Sequence, residues 1–107
     1  MGQQVIGKYP IDFNLLKDDN SLLVLLPRDA KILSVGFTPI SDGVNIKDTL
    51  CIWAMSETLS PEEPHYLVLA LTGGTFTNSC GRLNFIGTAI SSTHFVAHVF
   101  ERVSAYY

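Results

Sequence analysis

Charge is what this chain has least of. Of its 107 residues only 16% are Asp, Glu, Lys or Arg, while 47% are apolar; an average soluble domain is about 25% charged. A small domain with so few charges either wears an unusually neutral polar surface or covers part of its exterior with another subunit, and we expect the second, a homo-oligomer. A basic face is missing too. The seven Lys and Arg are scattered and the net charge is −3, so the phosphate neutralisation that drives duplex binding has no patch to work through. Nucleic acid is not an expected partner. No apolar run approaches the ~18 residues that would span a bilayer. The stretch Met1-Gly2-Gln3-Gln4 lacks the cationic start and apolar segment of a signal peptide, and no myristoylation motif is completed. The expected setting is the cytoplasm, with no membrane partner. Cysteine is reduced to Cys51 and Cys80, expected as free thiols in a reducing compartment. Cys51, inside an apolar run, belongs to the core, and Cys80 lies in a polar loop. Helix signals are almost absent. The single start is "LSPEE" (59–63), with Ser60 to cap, Pro61 at the first helical position and two glutamates at the positive end; Pro64 stops it after one turn.

What the sequence does have is short runs of β-branched and aromatic residues punctuated by turn residues, the pattern of strands. Seven are expected, over 4–13, 21–26, 30–38, 49–56, 65–72, 83–91 and 94–103. Those at 49–56 and 65–72, "TLCIWAMS" and "HYLVLALT", are nearly continuous apolar runs and read as central strands covered on both faces. The whole chain, 1–107, reads as a single all-β domain: a compact seven-stranded antiparallel sandwich or partly closed barrel with almost no helix. A chain of this length buries roughly 65% of its unfolded surface, enough for one core without a disulfide or metal. Two connections stand out. "PISDGVNIKD" (39–48) is long for a hairpin, and "GGTFTNSCGR" (73–82) gathers glycines, hydroxyls, a thiol and an arginine.

Candidate chemistry is sparse. His94 and His98 are four apart in "THFVAHVFE" (93–101), a spacing that on a helix could hold a metal. On a strand His94, Val96, His98 and Phe100 share one face, and Phe95, Ala97, Val99 and Glu101 share the other. A zinc site needs three or four ligands. Cys51, Cys80 and His65 offer no ligand-like spacing, so no metal is expected. His98 reads instead as a half-buried ring held by a backbone or hydroxyl partner, with His94 at a turn. No G-x-S-x-G elbow accompanies it, and Glu101 points the other way, so no catalytic residue and no cofactor are assigned. "LTGGTF" (71–76) leaves a strand through consecutive glycines whose amides could face an anion. It lacks the Lys-Ser/Thr and following helix of a nucleotide fingerprint, and the plainer reading is a turn that needs positive φ. Arg82 could grip a phosphate at two points. The candidate ligand set is therefore Gly73, Gly74, Thr75, Phe76 and Arg82, with Tyr9 for stacking and His98 at the margin. Trp53 is expected in the core, and Tyr106 and Tyr107 either contact a partner or form a loose tail.

The motifs "KYP" (8–10), "PRDAKILSV" (27–35), "LCIWAMS" (50–56), "LNFIGTAI" (83–90) and "FVAHVFE" (95–101) follow one another in an order that resembles a family of small proteins encoded mainly by bacteriophages and prophages. The chain departs from that pattern at Gly7, where the family usually has tryptophan, in its longer 39–48 loop, and in the loose match of "LTGGTF" to a Gly-Thr-Gly turn. The resemblance implies an all-β domain working in the cytoplasm of an infected bacterial host, and it brings no catalytic residues. The expected function is that of a non-enzymatic, homo-oligomeric binding protein with an anti-defence role. It would capture either a nucleotide-derived immune signal (nucleotide sequestration) or a host defence protein. The alternatives are a phage structural or assembly module, and a hydrolase of a small phosphorylated signal.

Overall fold

A computed structural model describes residues 3–18, 20–73 and 82–103. Seven strands run in sequence: β1 (Gln4–Pro10), β2 (Ser21–Pro27), β3 (Lys31–Ser41), β4 (Ile46–Glu57), β5 (Glu62–Leu71), β6 (Arg82–Ile90) and β7 (Val96–Val103). They form two antiparallel sheets, one in the order β1-β4-β3 and one in the order β2-β5-β7-β6. The expected all-β class is what is found. The sheets do not close on one another, so the architecture is the sandwich and not the barrel.

Alternation along each strand decides what is buried. In β4, Leu50 and Ile52 face the second sheet; in β2 Leu22 and Leu26, in β5 Leu67 and Leu69, and in β7 Val99 face back, all in one cluster. Each fully buried side chain of this size contributes about 1.5–3 kcal/mol over leaving it in water. Along one side the sheets press together. A Cβ added to Gly87 in β6 would stand 3.1 Å from Val35 Cγ1 in β3, so that glycine lets the two edge strands approach. On the opposite side β1 and β2 are the edges. The end of the sandwich is stoppered by a short 3-10 turn, Phe13–Leu15, whose first turn is capped by the Asp12 carboxylate accepting from the Asn14 N–H at 2.9 Å. Phe95 packs edge-on to both Phe13 and Phe37 there, with centroids 6.2 Å apart in each pair.

Four expectations need correcting. The first strand ends at Pro10, with the Ile11 N–H still donating to the Leu50 carbonyl at 2.8 Å, and the 3-10 turn capped by Asp12 takes over at Phe13. The supposed long loop at 39–48 is mostly strand: β3 runs to Ser41 and β4 starts at Ile46. The turn between them is tight because Asp42 accepts from the N–H groups of Val44 and Asn45, at 2.9 and 2.7 Å, and Gly43 takes φ +95°. No helical turn forms at 59–63; Glu62 already begins β5. Trp53 is on the outer face of the first sheet, opposite Lys8 and Ser34, because its neighbour Ile52 takes the core side. Cys51, also outward, is nonetheless fully buried; its thiol lies 3.3 Å from Thr38 Oγ1.

Three carboxylates tie the ends of the sheets. Asp29 accepts from the Glu57 N–H at 3.0 Å, Asp42 closes its own hairpin, and Asp48 at the start of β4 accepts from the Ser92 N–H in the β6–β7 turn, linking one sheet to the other. These contacts hold the three carboxyls below their ordinary value: the Ser60 side chain and the Glu57 amide act on Asp29, the Asn45 and Val44 amides on Asp42, and the Ser92 amide and hydroxyl on Asp48. A folded-state value lower than the unfolded one adds stability above the unfolded value and loses it as pH falls through the folded one. The urea midpoint is therefore expected to be insensitive to these groups near neutrality and to drop as pH falls below 3.8. Asp48→Asn should show a shallower acid limb than the parent chain.

Candidate functional site

With Leu22, Leu67 and Val99 turned inward, the intervening residues of the second sheet form its outer face. The register places Leu23 opposite Tyr66, and Val68 opposite Phe100. Further along it sets Phe85 opposite Phe100, and Ile90 opposite Val96. Phe85 and Phe100 meet edge-on with centroids 5.4 Å apart. Phe85 and Ile90 each remain 61% exposed, and Tyr66 41%.

His98 sits among these residues on β7, with Ala70 of β5 on one side and Thr88 of β6 on the other. Its Nε2 lies 2.8 Å from Thr72 Oγ1 and its Nδ1 2.9 Å from Thr88 Oγ1. The ring is thus clamped through both nitrogens by hydroxyls carried on the two flanking segments. A neutral imidazole donates through one nitrogen and accepts through the other, so one threonine hydroxyl donates to the ring and the other accepts from it. The expected half-buried ring with hydroxyl partners is what is observed. His94 occupies the turn before β7 with φ +68°. For catalysis, a threonine nucleophile would need His98 oriented by an acid, and Glu101 lies on the other face of β7.

The other described candidates lie apart. Gly73 follows β5 with φ +82°, a left-handed conformation that favours glycine, and lies next to Thr72 and hence to His98. Arg82 begins β6 opposite Val103, whereas Leu71, the last residue of β5, pairs with Ala97. Six residues of β7 therefore separate the two ends, about 20 Å at the rise of a strand. Tyr9 is on the first sheet, opposite Ile52 and packed against the core. Its hydroxyl lies close to Gly7, where an added Cβ would come within 2.8 Å of it. Gly74, Thr75, Phe76 and Cys80 lie outside the described residues, as do Tyr106 and Tyr107.

One pairing escaped the sequence reading. His65 of β5 and Glu101 of β7 meet on the inner side of the second sheet, with Nδ1 3.4 Å from Oε2 and side chains 11% and 25% exposed. Nε2 lies 3.2 Å from the Pro27 carbonyl, which can only accept, so Nε2 is the donor there. The two partners come from strands 36 residues apart, and only their shared inward parity could have hinted at the contact. An apolar cleft of about 150 Å³ opens near the 3-10 turn, lined by Phe13, Leu16, Asn20, Leu69, Leu71 and Phe95 among others. Among the described residues no group of three His, Cys, Asp or Glu is placed to hold a metal, and no helix is long and apolar enough to cross a membrane.

The fold and this face define a class: a two-sheet antiparallel sandwich with an apolar, histidine-centred outer face on the four-stranded sheet. The chain belongs to the family described as Domain of unknown function (DUF7352), which matches residues 2–106. No curated protein and no solved structure matches it.

If the clamp holds His98 as described, Thr72→Val and Thr88→Val should each lower the unfolding free energy by about 1 kcal/mol in urea titrations. Substitution of an equally exposed threonine without a side-chain partner should leave it within about 0.5 kcal/mol.

Proposed function

We propose that this chain is a non-enzymatic binding domain that engages a host protein through the outer face of the β2-β5-β7-β6 sheet. The setting, a phage countering host defence in the bacterial cytoplasm, is taken from the sequence resemblance. The observation that carries the reading is the exposure of Phe85 and Ile90 on the strand beside the His98 clamp, with Tyr66 further along the same face. Exposed apolar patches mark interaction sites, and this face also carries Arg102, on the parity of His98 and Phe100; aromatic residues and arginine are the types enriched at interfaces. The clamped ring adds directional polarity in the middle of the face.

Capture of a nucleotide-derived signal fits less well. Such a ligand carries phosphates and asks for convergent arginine and backbone N–H donors, and Gly73 and Arg82 stand at opposite ends of β7. A hydrolase fits least, since both nitrogens of His98 already have hydroxyl partners. The assembly-module reading draws on a separate feature, the uncharged edge of β2.

The test is expression of the chain in bacterial strains that each carry one defence system, scored by phage plating. The parent chain is expected to restore plating in at least one defended strain. F85D/I90D, verified as folded by circular dichroism, is expected to lose that effect. A folded F85D/I90D that restores plating as well as the parent overturns the reading. So does a rise of several degrees in Tm with ADP-ribose or a cyclic nucleotide.

A further inference from the structure

An edge strand offers a row of unpaired N–H and C=O groups, and natural sheets guard such edges with charge, proline, bulges or cover. Three of the four edges here are guarded. β1 carries Lys8 and ends on Pro10; β3 has a bulge between Ile32 and Ser34 and contains Pro39; β6 has a bulge between Phe85 and Gly87 and lies against β3. β2, "SLLVLLP", has no charge and no bulge, and its only proline is its last residue.

The phase of the β2–β5 ladder fixes which groups of β2 are free. Leu69 N–H donates to the Asn20 carbonyl and Arg28 N–H to the Pro61 carbonyl, so even-numbered residues bond towards β5. In an antiparallel pair the alternate residues bond to the other side, which aims the N–H and C=O of Leu23 and Leu25 at the open edge. The side chains of Leu23 and Leu25 are 37% and 53% exposed. An open groove of about 310 Å³ runs beside Leu22–Leu25, with Pro10, Ile11, Asp12 and Leu15 as its other wall.

We infer that β2 of one copy pairs antiparallel with β2 of a second copy about a two-fold axis at Val24, joining two four-stranded sheets into one of eight strands. The sequence is self-complementary for this: Leu22-Leu23-Val24-Leu25-Leu26 reads the same in both directions. With Val24 opposite itself, Leu23 faces the partner's Leu25 and Leu22 faces the partner's Leu26, so leucine meets leucine throughout. That register sets odd residues against odd residues. Leu23 and Leu25 then exchange both backbone bonds with their counterparts, four in all, and Pro27 ends the ladder for want of an N–H. Charge permits the approach. The strand has none, and its flanks, Lys17-Asp18-Asp19 and Arg28-Asp29, are both mixed in sign, so no like-charged blocks meet. An isologous contact of this kind closes after two copies.

This pairing uses the sheet edge and stands separately from the face proposed above, since hydrodynamic mass reports one and plating the other. Sedimentation equilibrium of the full chain is expected to give twice 11.8 kDa. In the Val24 register L23K/L25K sets like charges against each other across the axis and should weaken the dimer about 100-fold. L23K/L25E sets opposite charges there and should restore it. Both variants change exposed positions, and circular dichroism checks that each folds. A parent chain that is monomeric at its highest soluble concentration overturns the inference, as does a dimer that L23K/L25K leaves intact. Failure of L23K/L25E to recover the dimer overturns the Val24 register.

Discussion

The structure depends on one constraint: alternate residues of β4 must face the second sheet. Leu50 and Ile52 supply the first sheet's side of the core, and Leu22, Leu26, Leu67, Leu69 and Val99 supply the other. Because side chains along a strand alternate, every inward assignment forces an outward one. Putting Val99 inside puts His98 and Phe100 outside. Putting Leu22 and Leu26 inside puts Leu23 and Leu25 outside. The apolar outer face is therefore a consequence of the same register that builds the core, combined with a sequence that places apolar residues at both parities.

That double parity is what the low charge content meant. In a sheet with one wetted face, outward positions are expected to be polar. Here the second sheet carries Tyr66, Phe85 and Ile90 outward. The sheet thus presents exposed apolar residues, interleaved with His98, its threonine partners and Arg102, on the face that no second sheet covers. Its edge has the same character, for β2 lacks the devices that keep other edges from pairing. Both features favour contact with another protein surface over chemistry on a small molecule.

Much of this was legible in the sequence. The strand positions followed from β-branched and aromatic runs, and the two faces of β7 from alternation alone, including the separation of His98 from Glu101. The hydroxyl partners of His98 were foreseen in kind but not by name, because Thr72 and Thr88 reach it across two different strands. Trp53 was misplaced because an apolar run with no polar alternation does not reveal which parity faces the core; Ile52 took that side. The 39–48 segment misled because Pro39, Ser41 and Asp42 look like loop residues, whereas the Asp42 carboxylate tightens a four-residue turn and frees the rest for the ladder. Of the proposed anion cradle, the two described members, Gly73 and Arg82, are held apart by topology. β5 and β6 are separated by β7 and run parallel to each other, so the residues that leave one and enter the other are at opposite ends of the sheet.

A chain that acts through uncovered sheet surface meets its partner first at the open edge of β2. Amide exchange followed by NMR tests it residue by residue. Leu22 and Val24 bond to β5 in any state, while the N–H groups of Leu23 and Leu25 are protected only if another strand lies against them. Protection of Leu23 and Leu25 is expected to rise with protein concentration. Fast exchange at both positions at every concentration, beside slow exchange at Leu22 and Val24, would contradict it.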